Sequence, residues 1–322
     1  MWQYIVRRIL ISVLLLFVFS LLLYTLIRSM PGDYVSVMTT GKKNVSEEMI
    51  ANLKRIYGLD TGIIRGYLNW AKNAVTGNFG VSFHFTRPVS EIIPERMMVS
   101  FAFALPVLIL EVLIGVPLGI FSATRPYSAM DYTVTAFAFL GISVPAFFLA
   151  TVLKRVFAYG LEWFPPFGLI DGRLSHTGFA LFLDKSYHLV LPVITLTLLS
   201  VGAYMRYARS SMLDVMNSDY IRTARAKGLS ERRVVYHHGL RNTLIPIVTI
   251  IGGSLPGLFA GAVITESIFG IPGVGKMGLD ALQNNDIPLI MTFNLIGAAL
   301  TLAGSLLADI SYAFVDPRVR LS

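Results

Sequence analysis

The chain has 322 residues, of which 54% are hydrophobic and only 14% are charged, and its net charge is +8. A soluble domain of average composition has roughly a quarter of its residues charged, so this composition argues against one. Nucleic-acid binding is one interpretation of a basic chain, but the charges lie beside apolar segments, which favours a role in membrane topology. The sequence contains no cysteine, which excludes disulfides and thiolate metal sites.

Hydropathy predicts an all-α integral membrane protein with six transmembrane helices. Each apolar segment is close to or above the length that crosses ~30 Å of hydrocarbon as a helix. The predicted spans cover residues 9–28, 99–123, 132–153, 188–208, 243–265 and 289–314. The first segment is longer than the apolar region of a signal peptide, so we expect it to stay in the protein as a span.

Basic residues near the spans predict the orientation, because Lys and Arg in short loops are retained on the cytoplasmic side. With six spans, the basic residues that share one side are Arg7, Arg8, Arg125, Arg206, Arg209, Arg222, Arg225, Lys227, Arg232, Arg233, Arg241, Arg318 and Arg320. We therefore expect both termini in the cytoplasm, and the basic-poor segments 155–187 and 266–288 outside it.

The predicted domain organisation has four parts: an N-terminal span (1–28), an extracytoplasmic helical region (29–98), a core of five spans (99–314) and a cytoplasmic tail (315–322). The second part is too long for a linker and too polar for a span. Apolar spacing and caps predict one short helix from Ser46 to Gly58 and another from Ile63 to about Gly77. A packed cover over the bundle and a contact surface for a partner both fit this small helical region.

The cytoplasmic loop 209–242 contains a pattern typical of a short, rigid helix. Ser218 or Asp219 caps its start, and Gly228 supplies the left-handed residue that ends it. The arginines of this loop, taken alone, would be explained by their role in membrane topology. The small residues between a helix cap and a glycine favour a second role, docking of the helix to another protein. The candidate docking residues are Asp219, Tyr220, Ile221, Arg222, Thr223, Ala224, Arg225, Ala226, Lys227, Gly228 and Leu229.

This loop, which reads YIRTARAKGLSE and then LRNTLIP, resembles the coupling loop of the oligopeptide, dipeptide and nickel permeases of ATP-binding-cassette (ABC) importers. Ala224 and Gly228 fit the general importer pattern, whereas Arg222 and Thr223 stand where that pattern has Glu and Ala. These departures are habitual in the peptide branch of the family. The resemblance extends nearly end to end, through MPGD at 30–33, GNFGVS at 77–82, ESIFGIPGVG at 266–275 and DPRVR at 316–320.

The resemblance implies the MetI-like permease architecture of type I ABC importers, with this chain as the first of two permeases. The implied function is passage of oligopeptides or dipeptides across a bacterial or archaeal cytoplasmic membrane, with nickel and short sugars left open as substrates. The implied partners are a second homologous permease, two ABC ATPase subunits that bind ATP and Mg²⁺, an extracytoplasmic peptide-binding protein and membrane lipid. No cofactor, metal, nucleic acid or enzymatic activity is expected for the chain itself.

Five residues are candidates for the transport pathway or the interface between permeases: Glu111, Gly253, Pro256, Gly257 and Glu266. The glycines and the proline fit a helix that lines a water-filled path, and they fit ordinary close packing equally well. Glu111, a carboxylate inside a span, fits a contact to a substrate amine or to the second permease. Asp309 lies near the cytoplasmic end of span six, where we expect it to pair with Arg206 or Arg209.

An ion-gradient-driven secondary transporter is the alternative from another functional class. Such a protein would need inverted repeats and coupling carboxylates at the midplane, and only Glu111 is suitably placed. Residues 270–276 have the spacing of a phosphate-binding loop, but Met277 replaces the Ser or Thr that such a loop requires. We interpret these glycines as a tight turn instead.

Overall fold

The computed structural model describes residues 2–29, 47–48, 51, 61–173 and 177–315, and most of this part of the chain is helical. The helices are α1 (Trp2–Arg28), α2 (Ile63–Val75), α3 (Val89–Thr124), α4 (Ala129–Ser143), α5 (Ala146–Gly160), α6 (Gly178–Met216), α7 (Asp219–Ala226), α8 (Glu231–Phe259), α9 (Val263–Phe269), α10 (Val274–Gln283) and α11 (Ile287–Val315). Three of them contain π-helical turns, at Glu111–Gly115, Lys154–Gly160 and Val234–Gly239, and α8 ends in a 3₁₀ turn at Leu255–Phe259.

Five helices in the described part of the chain are long and apolar enough to cross a membrane: α1, α3, α6, α8 and α11. The predicted third span, 132–153, is not one straight helix. It is the pair α4 and α5, which meet at an angle of 100°. Pro145 explains the break, because a residue before proline is driven out of the helical region, and Val144 is extended with ψ of 126°.

The bent pair nevertheless connects the two ends of the bundle. At the start of α4, Asp131 is bonded to Arg209 of α6. After the end of α5, the carbonyl of Trp163 accepts a hydrogen bond from Tyr187 near the other end of α6. Tyr187 and Arg209 are about 33 Å apart along α6 at 1.5 Å per residue. Counting the pair as one broken crossing gives the described part of the chain six candidate membrane spans.

Several predicted boundaries need correction. The helix that contains the second span begins at Val89 and the one that contains the fourth begins at Gly178, whereas the helix of the fifth ends at Phe259 and not at 265. The extra turns carry polar residues that hydropathy assigns to loops. In the loop 209–242, residues 209–216 are the end of α6 and residues 231–242 are the start of α8. The predicted helix from Ser46 to Gly58 and the tail beyond 315 lie almost entirely outside the described residues, whereas the helix predicted from Ile63 is confirmed as α2.

The long helix α6 lies at the centre of the bundle, in close contact with α3 and α4. A Cβ atom on Gly119 of α3 would lie 2.3 Å from the carbonyl oxygen of Met205. A Cβ atom on Gly202 of α6 would lie 2.5 Å from the carbonyl oxygen of Ala138. Small residues bring helix backbones together in membranes, where dispersion contacts rather than the hydrophobic effect drive association.

Polar contacts join the two termini of the described chain at one end of the bundle. Asp309 of α11 accepts hydrogen bonds from Arg8 Nε at 2.8 Å and from the Tyr4 hydroxyl at 2.9 Å. The expected pairing of Asp309 with Arg206 or Arg209 is therefore wrong. A buried carboxylate elsewhere, Asp131, is the partner of Arg209.

Candidate functional site

The helix α7 forms in the turn between α6 and α8. Ser218 is extended, with φ of −73° and ψ of 155°, and its carbonyl accepts from the N–H groups of Ile221 and Arg222, each at 3.2 Å. Its hydroxyl donates back to the carbonyl of Val215 at 2.6 Å, so the helix begins through the Ser218 backbone and not through a side-chain cap. Gly228 ends the helix with φ of +76°, as predicted, in a conformation that glycine adopts without strain.

One face of α7 packs against the chain's own helices. Ile221 and Ala224 are buried in a cluster with Val234 of α8, and the partly buried Val215, Met216 and Leu229 surround it. Ala224 therefore lies on the packed face, which corrects the expectation that all the small residues of this helix are open to a partner. The packing joins α7 to the end of α6 and to the start of α8.

The remaining surface of α7 and of the turn after it is exposed and carries three basic residues and one acidic residue. Its exposed residues are Asp219, Tyr220, Arg222, Thr223, Arg225, Ala226, Lys227 and Gly228. Arg225 donates two hydrogen bonds to Glu231, at 2.8 and 3.3 Å, across the turn at Gly228. This surface pair contributes little energy, about 0–1 kcal/mol, but it orders the cation beside the turn.

Counting the bent pair as one crossing, α7 lies on the same side of the bundle as the start of α1 and the end of α11. The end of α3 lies there too, because the Ser122 hydroxyl donates to Asp131 at the start of α4. The exposed face of α7 is thus part of a basic end of the molecule.

Glu111 lies inside the bundle, in the π-helical turn of α3. Its carboxylate is buried and accepts a hydrogen bond from the Ser200 hydroxyl of α6. The Tyr204 hydroxyl, one turn further along α6, is 3.3 Å from the Ser254 hydroxyl of α8. These four residues form a polar strip between three helices, consistent with the rule that intramembrane carboxylates face the protein interior.

The three candidate residues near the end of α8 have different surroundings. Gly253 and Pro256 face α11: a Cβ atom on Gly253 would lie 3.3 Å from Ala308 Cβ, and one on Gly304 would lie 3.1 Å from Pro256 Cγ. Gly257 is exposed, and a Cβ atom there would meet nothing within 4 Å. Helix packing therefore accounts for the first two, whereas Gly257 is on an open surface.

Glu266 holds together the segment that follows α8. Its Oε1 accepts from the Ser100 hydroxyl at 2.8 Å and from the Ala262 N–H at 3.0 Å, and its Oε2 accepts from the Lys276 N–H at 2.8 Å. The side chain is fully buried. A Cβ atom on Gly273 would lie 2.5 Å from the carboxylate, so this glycine leaves the space that Glu266 fills. The Lys276 N–H is already used here, which argues further against a phosphate-binding loop.

Asp131 and Lys154, at the two edges of the predicted third span, are buried charged residues that are absent from the candidates predicted from the sequence. Asp131 joins three helices, and the Lys154 ammonium group donates to the Ile268 carbonyl at 2.6 Å and lies 3.2 Å from the centre of the Phe167 ring. The sequence does contain a sign of both sites, because each is an ionisable residue at the edge of a predicted span, where a charge is costly. In the part of the chain that the structure describes, no group of three or more His, Cys, Asp and Glu side chains is arranged to hold a metal ion.

Five long apolar helices and a bent pair, arranged around a central helix, are the features of a multi-pass membrane protein. The chain belongs to the family of binding-protein-dependent transport system inner membrane components, whose model matches residues 115–321. A companion model for the N-terminal part of such membrane components matches residues 1–104. The family resemblance stated from the sequence is confirmed, and the chain is a transport component and not an enzyme.

Relatives match over almost the whole chain. The oligopeptide transport system permease protein AppB of Bacillus subtilis (strain 168) is 40% identical over 320 residues, which cover 99% of each chain. The dipeptide transport system permease protein DppB of Escherichia coli (strain K12) is 34% identical over 337 residues, 99% of each. The oligopeptide transport system permease protein OppB of Salmonella typhimurium (strain LT2) is 32% identical over 321 residues, 99% of this chain and 100% of the relative.

A solved structure has the same fold. An inward-facing form of the MetNI methionine ABC transporter matches with a TM-score of 0.52 and 17% identity, over 71% of this chain and 97% of the other. Identity at this level shows the fold alone. The expected fold class, the permease architecture of type I ABC importers, is confirmed.

Proposed function

We propose that this chain is one of two permease subunits in an ABC importer that carries oligopeptides or dipeptides into the cell. The relatives that support this proposal are named as oligopeptide and dipeptide permeases, and they match over nearly their full length. The proposed assembly contains a second homologous permease, two ATPase subunits that bind ATP and Mg²⁺, and an extracytoplasmic peptide-binding protein.

The proposed location is the cytoplasmic membrane of a bacterium or archaeon, with both termini and α7 on the cytoplasmic side. The support for this orientation is charge. The exposed cations of α7 and the start of α8 lie at the same end of the bundle as Arg8, and basic residues are retained in the cytoplasm.

The geometry of α7 carries the proposed mechanism. Residues Asp219 to Leu229 would contact an ATPase subunit through the exposed face of the helix. Because the other face is packed on the ends of α6 and α8, displacement of α7 would move both helices as one unit. The two states of the ATPase pair would supply the difference in affinity that any ligand-driven change requires. A loosely attached basic loop would not transmit such a displacement.

The pathway is proposed to run beside the polar strip around Glu111 and the open surface at Gly257. Glu111 is the candidate contact for a peptide amine or for the second permease. Gly253, Pro256 and Glu266 would shape the path indirectly, by setting the position of α8 and of the segment after it.

The experiment that tests coupling is site-specific cross-linking in the native membrane. The chain has no cysteine, so a single introduced cysteine reports on one position. Thr223→Cys, on the exposed face of α7, is expected to capture a subunit with ATPase activity. Asn284→Cys is the matched control, because Asn284 is also exposed but follows α10 at the opposite end of the bundle. An ATPase captured from both positions, or from neither, would refute the docking proposal.

The substrate is tested by growth and uptake. Cells that lack this chain should lose uptake of short peptides while keeping uptake of the corresponding free amino acid. Uptake that continues when ATP is depleted and stops when the proton gradient is collapsed would favour the alternative, a secondary transporter.

A further inference from the structure

The short helix α2 has one face that packs against α1 and α11. Tyr67 and Gly66 are buried, and Trp70 and Ala71 are partly buried beside them. The Tyr67 ring makes edge contacts with Phe17 and Tyr24 of α1, with ring centres 5.7 and 5.8 Å apart. These contacts fix α2 against the apolar surface of the first span.

The contacts also fix the depth of α2. The hydroxyl groups of Tyr67 and Ser20 are 2.8 Å apart, and Ser20 lies eight residues before Arg28, the end of α1. At 1.5 Å per residue that is about 12 Å below the end of the span. Just before α2, the carbonyl of Thr61 accepts a hydrogen bond from Arg28 at 2.6 Å. The start of α2 is therefore level with the end of α1, and the Tyr67 side chain reaches the apolar part of that span.

A second face of α2 is apolar and uncovered. Ile64, Leu68 and Val75 are 74%, 57% and 88% exposed. Their spacing of four and seven residues places them in one stripe along the helix, directly beside the packed face.

The third face of α2 is polar. It consists of Arg65, Asn69, Lys72 and Asn73, all of them exposed. Packed, apolar and polar faces follow one another around the helix axis. An exposed apolar stripe is unfavourable for a helix that is surrounded by water. A polar face is unfavourable for a helix in the hydrocarbon core.

We propose that α2 lies in the membrane–water interface at the end of the bundle where α1 ends, and that lipid covers its apolar stripe. Ile64, Leu68 and Val75 would enter the acyl chains, and Arg65 and Lys72 would contact lipid phosphates. An interfacial helix buries its apolar side roughly 5–10 Å into the boundary between headgroups and acyl chains. The Tyr67 hydroxyl, at the tip of a side chain on the packed face, lies about 12 Å below the end of α1, so the backbone of α2 stays near that boundary. At the same level, α1 exposes Leu22 and Leu26, each 64% accessible, as a spanning helix does towards lipid.

The test measures which solvent surrounds each face of α2. Single-cysteine variants Ile64→Cys, Leu68→Cys and Val75→Cys of the full chain are labelled with a nitroxide in vesicles of equal parts phosphatidylcholine and phosphatidylglycerol. Asn69→Cys and Asn73→Cys, on the polar face of the same helix, are the matched controls. The measurement is the collision rate of each label with oxygen, which concentrates in lipid, and with a water-soluble nickel chelate. The stripe positions are expected to show a severalfold higher ratio of oxygen to nickel collisions than the controls.

Two outcomes at the stripe positions would overturn the proposal. Nickel collision equal to that of the controls would place the stripe in water. An immobilised label that neither reagent reaches would mean that protein, such as a second copy of the chain, covers the stripe.

A variant with Arg65→Gln and Lys72→Gln tests the phosphate contact. With the label at Leu68→Cys, this variant is expected to sit less deeply than the parent chain in both kinds of vesicle, because both lipids carry a phosphate. The difference is expected to be larger in the mixed vesicles, where phosphatidylglycerol adds net negative charge. A variant whose label sits as deeply as that of the parent chain in both kinds of vesicle would refute the role of these two cations.

Discussion

Arg209 and Asp131 form a two-point ion pair, in which Nε and Nη2 of the guanidinium group lie 2.7 and 2.8 Å from the two carboxylate oxygens. Asp131 also accepts from the Ser122 hydroxyl and from the Tyr127 N–H at 2.9 Å. One buried carboxylate thereby joins the end of α3, the start of α4 and the last turns of α6. This junction lies near the end of α6 on which α7 is packed.

Asp131→Asn is expected to destabilise the chain strongly, because it leaves the Arg209 guanidinium group without its counter-charge. Removing one partner of a buried pair costs roughly 3–5 kcal/mol. We expect the lower part of this range, since the Arg209 side chain is still 29% exposed. Unfolding of the purified full chain by sodium dodecyl sulfate in mixed micelles, followed by circular dichroism, measures the free energy.

Asp219→Asn is the matched control for this ion pair. Asp219 is 97% exposed and lies 3.5 Å from Arg222, so its removal should change the unfolding free energy by less than about 1 kcal/mol. If both variants unfolded at the same detergent concentration as the unmodified chain, the pair would have no structural role.

Gly119→Ala should also lower stability, because the added methyl group would lie 2.3 Å from the Met205 carbonyl and would force α3 away from α6. Overpacking of this kind costs about 1–3 kcal/mol. Gly297→Ala in α11 is the control, since nothing lies within 4 Å of the new atom and alanine is the better helix former by about 1 kcal/mol. Detergent-induced unfolding of the two variants should move in opposite directions, and a Gly119→Ala variant as stable as the unmodified chain would show that the contact between α3 and α6 is loose.

Apolar length was sufficient to predict the long apolar helices, and local spacing with glycine predicted α2 and the left-handed turn at Gly228. These features depend on local composition. The bend at Pro145 and the true limits of α3 and α6 depend on which polar residues another helix covers, and hydropathy along one segment does not contain that information. Glu91 and Glu95, for example, lie in a helix although they are too polar for the predicted span.

The partners of the charged residues could not be predicted, for a related reason. Asp309 was expected to pair with Arg206 or Arg209, which are near it in the predicted topology, but the pair it forms is with Arg8 at the other terminus. Sequence position places residues at one end of the bundle and does not order the helices around it. The same uncertainty applied to Ala224, because a small residue on a short helix fits a packed face and an exposed face equally well.

Glu266→Gln is expected to destabilise the segment after α8 although it is nearly isosteric. Each oxygen of the carboxylate accepts from a backbone N–H, that of Ala262 or that of Lys276. Either orientation of the glutamine amide would direct its NH₂ group at one of these donors, and an unsatisfied buried donor costs about 1–3 kcal/mol.

The control for Glu266→Gln is Glu95→Gln, an exposed residue that pairs with Arg87 at 3.2 Å. It should be nearly neutral in the same detergent titration. If Glu266→Gln were equally neutral in stability but lost transport, Glu266 would be a pathway residue and not a structural one.

The two alanines of α7 separate the packing of this helix from its proposed docking. Ala224 is buried against α6 and α8, whereas Ala226, two residues further on, is exposed. Ala224→Phe should therefore destabilise the isolated chain by about 1–3 kcal/mol through overpacking, and should also lose transport because α7 no longer moves with α6 and α8. Ala226→Phe should leave the unfolding of the isolated chain unchanged and still lose transport, because it obstructs the surface offered to the ATPase.

Detergent unfolding and peptide uptake in whole cells, with membrane insertion checked by immunoblot, give the four measurements. Normal uptake with Ala226→Phe would contradict docking through the exposed face, and unchanged unfolding with Ala224→Phe would contradict the packing that is proposed to transmit the motion.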